Sequence, residues 1–487
     1  MRIVGRTYCI ICIVVLCSVV GSYAAEQQLG RKTVEIPKDF KSVKFSHDGR
    51  RVAFAASDGK QYRAIVDGKP EQLYEDVTVV EFSPQGDHYY YGGQRDGQWY
   101  LVRDGKEVTK LGSLTSLNQG AGFSIFGEGT SFTIWSTLAI WFAEQADNYF
   151  VLAYQGDTGK VFKDGAWLPL EYRSFYHEGM AVGPGGKNYV ISVAPRGSRQ
   201  AQVYLNGQPI SQFESVENAA FLQPGDQLIY NGGGRMMLKD KPFPGVGPLA
   251  GMIVTSSDGK HFAALVKTGD GKQAVVVDGK QETTYPKVDW GYRGFLSSPG
   301  SFAWSKDGKE YAYVVNVASE KKSPQAVVHN GKSLNPFAEI QGSSLVLTPD
   351  GKHVAYAAKG EQGWAVVIDN TAEVGGFEEI GNILFTGAVA KVAYTAKTAK
   401  GWSLYGARQA GPFDATAGLV SDASGVHLAY AGKTPDGKWQ VYRDGKPIFS
   451  PCDGIIANTG IRVSNSGDVS FIAKMGQQLV WITSEAR

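Results

Sequence analysis

Residues 347–358, LTPDGKHVAYAA, decide how the rest of the chain is read. An apolar stub at Leu347 runs into the turn Thr348-Pro349-Asp350-Gly351, and an alternating apolar strand leaves it. Looser copies of the phrase begin at Phe45 (FSHDGRRVAFAA), Phe82 (FSPQGDHYYYGG), Thr255 (TSSDGKHFAALV), Trp304 (WSKDGKEYAYVV) and Val420 (VSDASGVHLAYA). A phrase that recurs at a fixed period marks a supersecondary unit, which buries its apolar face only against its neighbours.

Outward from these copies, fourteen Asp-Gly and three Asn-Gly pairs punctuate the chain. Two-residue hairpin turns of type I′ need positive φ at both central positions, which Asn or Asp followed by Gly tolerates best. The runs at 354–358 and 364–368 carry the β-branched and aromatic residues that a packed pleated surface prefers. Aligned on the first turn, about eleven units of roughly 35–50 residues emerge. They start near Phe45, Phe82, Ala146, Val182, Phe221, Thr255, Trp304, Leu347, Phe385, Val420 and Val463. Each supplies four short strands, most cleanly over 347–384, where the second turn is Asp369-Asn370. Residues 137–146 are admitted as a helix or an extra hairpin, and the irregular stretch 112–145 leaves the count open by one.

Four antiparallel strands per period of ~40 residues is the pattern of a propeller blade. The expected fold is therefore an all-β propeller of about eleven four-stranded units. The last unit stops after its third strand, 479–483, while 32–36 offer a strand before the first stub. One completes the other's blade and hides edges that an open sheet would expose. Rings of 4–8 blades are usual, so two rings are expected, 25–250 and 251–487, divided near Gly251. A single continuous ring is the alternative.

The 61 glycines exceed the usual ~7% share without a collagen period. A net charge of +2 leaves no basic excess for nucleic acid. Arg2 and Arg6, the apolar run 8–20 and Ser22-Tyr23-Ala24 before Ala25 read as a signal peptide over 1–24, cleaved on export. An uncleaved anchor would need an apolar run of ~20 residues. A lipoprotein would use Cys17, but bulky Leu16 precedes it. Cys9, Cys12 and Cys17 fall in the signal, so Cys452 stands alone and no internal disulfide is expected. The mature chain is expected in the periplasm or outside the cell, without a transmembrane span.

The Ser-Pro-Asp-Gly-Lys-x-x-Ala-Tyr pattern, strongest over 45–105, 255–356 and 425–445, is similar to the repeats of TolB-type, WD-like β-propellers of the bacterial envelope. That resemblance implies a propeller fold, a periplasmic setting and a role in binding other proteins. Related propellers also serve peptidases and polysaccharide lyases. The matching residues are turn and core residues, so no binding residue carries over, and function must be argued from the site.

The chain holds no Gly-x-Ser-x-Gly elbow, no His-Glu-x-x-His and no Walker loop. His88, His261, His353 and His427 share one position after the first turn, which spaces them unit by unit rather than around one ion. Neither a metal nor a cofactor is expected. Turns joining strands one to two and three to four fall on one rim, and the remaining loops on the other, where variable loops suit binding. Two stretches stand out there. One is 171–178, with Tyr172, Arg173, Tyr176, His177 and Glu178. The other is 289–295, with Asp289, Trp290, Tyr292 and Arg293. Trp, Tyr and Arg anchor interfaces most often, and aromatics beside carboxylates equally suit a sugar; the competing reading is packing between blades. Arg95, Arg196, Arg199, Lys321 and Lys322 would extend this surface toward acidic ligands. The leading expectation is a non-enzymatic binding or scaffolding protein whose partner is an envelope protein or a glycan. The alternative is a propeller enzyme, a polysaccharide lyase or hydrolase, with His177, Glu178, Asp289 and Arg293 as its groups.

Overall fold

A computed structural model of the chain describes residues 31–36, 40–114, 122–125, 129–132, 139–175, 179–195, 197–198, 200–290, 301–320, 322–387, 391–422, 424–456, 460–476 and 478–484. Residues 1–24, expected as a signal peptide, lie outside them. Among the described residues the repeat folds as consecutive four-stranded antiparallel units. Nine are separate sheets, and a nine-stranded sheet contains two more. In chain order, units 1 to 11 occupy 40–74, 76–114, 140–172, 174–213, 216–242, 249–285, 287–333, 339–377, 379–413, 415–447 and 454–484. Units 2 and 3 join because the strand Lys106–Leu114, the outer strand of unit 2, runs on to pair Ser113 with Tyr154 and Leu114 with Ala153. The chain is an all-β propeller.

Ten of the eleven expected starting points end, or lie one residue from the end of, an innermost strand. The exception is unit 3, whose strand Ile140–Phe142 ends before Ala146. Of the stretch 137–146, the described residues 139–146 form this strand and its turn and not a helix. Closure follows the expected route: Arg31–Ile36 pairs antiparallel with Gln478–Ser484, in the register Lys32 to Thr483.

The second strand of each unit explains the apolar phrase. Val354, Ala355, Tyr356, Ala357 and Ala358 are all buried. Side chains alternate across a strand, so one face meets the preceding unit and the other the following one. Val354, Tyr356 and Ala358 pack against unit 7, while Ala355 and Ala357 pack against unit 9. The same division recurs in unit 10, where Leu428 and Tyr430 face unit 9 and Ala429 and Ala431 face unit 11. In unit 1, Val52 and Phe54 face unit 11 while Ala53 and Ala55 face unit 2. In these three units bulky side chains point backward along the chain and small ones forward, which lets a large face seat on a small one, as close packing favours. The seam between units 3 and 4 is built differently, with Phe150 and Leu152 set against Tyr189, Ile191 and Val193.

Clusters of this kind join every unit to the next, and Phe45, Val52 and Phe54 of unit 1 join Ile456, Ile472 and Trp481 of unit 11. The expected division near Gly251 falls at a packed seam, where Leu222, Ile229 and Met236 meet Ile253, Phe262 and Ala264.

The turns are clasped to one another. The Asp or Asn that opens the turn between strands three and four has φ near +50° in eight units. Its carboxylate or amide oxygen accepts the first backbone N–H of strand two: Asp67 from Val52, Asp104 from Tyr89, Asp164 from Tyr149, Asn206 from Tyr189, Asp278 from Phe262, Asn330 from Tyr311, Asp369 from Val354 and Asp444 from Leu428, at 2.8–3.1 Å. The four repeated histidines complete this clasp. His88, His261, His353 and His427 hold the other oxygen of the same aspartate through Nδ1, at 2.6, 2.6, 2.8 and 3.0 Å.

The first turn is stapled in its own way. The Ser46, Ser256, Ser305 and Thr348 hydroxyls donate to Asp48, Asp258, Asp307 and Asp350, and accept the N–H five residues on. The following lysine folds back on its own aspartate, as Lys352 on Asp350 at 3.0 Å and Lys260 on Asp258 at 3.3 Å. These exposed pairs stabilise little, but they keep the turns close to neutral.

Two outcomes follow. Replacing Asp369 by Ala removes two hydrogen bonds and puts a Cβ-bearing residue without local bonding at φ 55°. Chemical denaturation should show a loss of about 2 kcal/mol, whereas Asp369→Asn, the choice made at Asn206 and Asn330, should cost much less. Acid should act through the stapled turns. Lys352 and then the Thr348 hydroxyl push Asp350 down to about 2, and the Ser305 hydroxyl foremost holds Asp307 below its ordinary 3.8. Their folded values lie under their unfolded ones, so their stabilisation is complete above about pH 4 and is lost as pH falls toward about 2. A melting temperature that stays level across that fall would contradict the staples.

Candidate functional site

The innermost strand of each unit is where the repeat breaks. In units 5, 6, 8, 9 and 10 it stays continuous through a bulge, with register shifts between Glu217 and Ala220, Leu249 and Ile253, Gln341 and Val346, Ile380 and Ile383, and Ala417 and Val420. In others it splits into two halves that pair with the same second strand. The halves are separated by 78–80 in unit 2, 176–180 in unit 4, 290–301 in unit 7 and 456–461 in unit 11. In unit 3 the gap is 115–139, and a hairpin of Gly122–Ile125 with Gly129–Phe132 occupies part of it. A bulge leaves extra residues unpaired and disrupts the ladder only locally, so it is the tolerant place for longer chain.

Side chains hold the ladder together around the short breaks. The Thr78 hydroxyl accepts from Gly92 N–H at 2.8 Å, and the Ser344 hydroxyl accepts from Ala357 N–H at 2.7 Å. Around the longest break in the second half of the chain, Ser301 instead donates to Asp289 Oδ2 at 2.6 Å. Both sequence stretches singled out for binding meet these breaks. Stretch 289–295 lies at the interruption of an innermost strand and not, as expected, on a loop joining one blade to the next, whereas 171–178 crosses the joint of units 3 and 4 at Arg173 before it meets the interruption of unit 4. The strand-two-to-three connections expected to be long and variable are mostly tight, and some carry Asp-Gly themselves, as at Asp96-Gly97 and Asp270-Gly271.

The singled-out residues divide sharply. Tyr172 is 1% exposed and packs between Tyr154 and Phe175. It closes the outer strand Ala166–Tyr172, opposite Gly159, whose missing Cβ would lie 2.1 Å from the ring. Trp290 is 8% exposed, donates its indole N–H to the Met252 carbonyl at 3.0 Å, and lies over Gly251 and against Phe302. For these two aromatics the competing reading, packing between units, describes their setting. Arg173 is exposed, its backbone held by N–H to the Ala194 carbonyl at 2.8 Å. Asp289 is engaged by Ser301. Tyr176, His177, Glu178, Tyr292 and Arg293 lie outside the described residues, as do Arg196, Arg199 and Lys321. Arg95 is turned inward on Glu107, with two bonds of 2.9 and 3.0 Å, and lies over the Tyr100 ring. Lys322 is exposed.

Tyr172 opposes Gly159 at the end of an outer strand as Tyr285 opposes Gln273, so Tyr285 is its counterpart in unit 6. The pattern that does recur is an aromatic closing the outer strand and pressing on a glycine in the next unit's second strand. Tyr74 meets Gly93, Phe213 meets Gly232 and Phe413 meets Gly432, where an added Cβ would stand 2.5–2.7 Å from the ring. The Gly endings of YGG, NGG and YAG in those second strands were the sequence signal for it.

No protein-family model matches the chain, and no curated protein matches it. Solved structures to which it is similar include the Dos1 propeller, at 10% identity over 85% of this chain and 93% of that one, TM-score 0.29. BamB from Moraxella catarrhalis is similar at 11% identity over 93% and 96%, TM-score 0.29. The Swd1 β-propeller domain of Myceliophteria thermophila is similar at 10% identity over 70% and 98%, TM-score 0.24. With TM-scores this low the likeness decides nothing, and the fold rests on the pairing and seams described above.

The burial of Trp290 makes a direct forecast. Trp290→Ala should destabilise the fold by about 3–5 kcal/mol in denaturant titration. A stability loss under about 1 kcal/mol would mean that the indole is not the packing element its setting describes.

Proposed function

We propose that this chain is an exported binding or scaffolding propeller whose eleven units form one circuit, with its partner, an envelope protein or a glycan, held where the innermost strands are interrupted. One observation carries the reading: added chain length gathers at a single structural position, the mid-point of the innermost strand, in units 3, 4, 7 and 11. The clasped turns of the other rim are uniform, and uniform short turns serve the scaffold, whereas variable segments on a rigid frame serve recognition. The one-circuit form is supported by the seam between units 11 and 1. It has the composition of the other seams and is closed by the pairing of Arg31–Ile36 with Gln478–Ser484.

The test is to shorten 290–301 to the length of the bulge at 342–345 in unit 8, keeping Trp290 and Ser301. Circular dichroism and melting should stay close to the parent. Capture of a defined partner, found by cross-linking the parent chain to envelope extract or by a glycan array, should fall at least about tenfold. Undiminished capture by a folded variant would remove this break from the account.

A further inference from the structure

We infer that the seam between units 2 and 3 carries a second binding site, for a neutral, hydroxyl-rich ligand the size of one sugar residue. It lies on the rim of clasped turns, and stands whether or not the innermost-strand breaks bind anything. A cavity of about 390 Å³ opens there between Arg103 and Val108 of unit 2 and Asp147, Tyr149 and Asp164 of unit 3.

The cavity exists because a seam contact made elsewhere is replaced. The last side chain of strand three crosses to the glycine carbonyl of the next unit's first turn in two other units. His329 Nε2 bonds to the Gly351 carbonyl at 2.8 Å, and Arg443 Nη1 donates to the Gly467 carbonyl at 3.3 Å. Arg103 holds that position in unit 2, but the turn opposite reads Ala143-Glu144-Gln145-Ala146-Asp147-Asn148. Ala143 stands where other copies have the stapling hydroxyl, and Ala146 where they have glycine. The Arg103 guanidinium lies instead over the Tyr90 and Tyr149 rings, 5.6 and 5.7 Å from their centres, with Asp104 at 3.6 Å.

The charges around the cavity select the ligand. Arg103 lines one side. Asp147, which is exposed, and Asp164, which already accepts from Asn148 and the Tyr149 N–H, line the other. An anion would meet two carboxylates, and a cation would meet a guanidinium. A hydroxyl accepts from the guanidinium and donates to the carboxylate at once, so neighbouring hydroxyls satisfy both walls. Val108, 39% exposed on the outer strand, gives the C–H face of such a ligand an apolar contact. The volume is at the small end of ligand pockets, ~300–1,000 Å³, which suits one ring rather than a long chain.

The test uses the mature chain, with glucose, galactose and N-acetylglucosamine as probes and acetate and methylammonium as charged controls, read by saturation-transfer NMR and calorimetry. At least one sugar should bind in preference to both controls. Asp147→Ala and Arg103→Ala should each weaken it about tenfold, the value of one charge-assisted hydrogen bond. Asp147 is exposed, so its variant should melt with the parent, which separates lost binding from lost folding. The variant shortened at 290–301 should bind the sugar unchanged. Absence of binding by all three sugars, tighter binding of a charged control, or sugar binding that survives both substitutions would overturn the site.

Discussion

Burial of the second strands on both faces sets the terms for the rest of the structure. In units 1, 8 and 10 these strands present bulky residues to the preceding unit and small ones to the following unit. Tyr356 seats against unit 7 while Ala357 leaves room for the side chains of unit 9. A unit alone would leave both faces in water, and burial of apolar area is the main favourable term in folding. The units are therefore stable only as a series, and the first and last have the same unmet need as any other pair. Phe54 against Ile472 and Trp481 meets it. With Cys452 buried as a free thiol, burial and hydrogen bonding carry the stability of the described chain.

Given that series, the turns need only hold strand two in register, and the clasp does so by using one carboxylate twice. An aspartate at positive φ places one oxygen on the first N–H of strand two and leaves the other for His, Arg or Asn side chains, as Asp67 does with Arg51 and Asp164 with Asn148. This gives the repeated histidines a structural task with a partner each. Lys and Asp recur together for a related reason, since Lys352 and Lys260 each pair with the aspartate of their own first turn.

The innermost strand is under neither constraint for its whole length. Its two ends pair with strand two, while its mid-point already departs from the ladder in most units. Chain length can grow there without reaching a clasp, while residues at the ends of the breaks, such as Trp290 and Ile456, pack into the seams. Both stretches singled out for binding meet the interruption of an innermost strand. Their chemistry was less legible. Tyr172 and Trp290 look like interface anchors in a sequence because large amphipathic aromatics serve both interfaces and cores. Only the glycines beneath them, Gly159 and Gly251, show that they are used as core. Those glycines lie on other strands, at separations no local pattern links.

The sequence by itself determined the units, their order and the closing strand. A period-two strand between two turns that require Asp-Gly or Asn-Gly is a local pattern, and local patterns are written in consecutive residues. That strand two is buried on both faces was decided by the tertiary structure. So was which neighbour each face meets, and hence where seams close, since packing depends on shape across residues far apart in the chain. The same holds for the cavity at Arg103. No residue in it is unusual alone, and it opens where the turn that faces Arg103 across the seam has Ala143 and Ala146 at the positions held by Ser46 and Gly49 in unit 1.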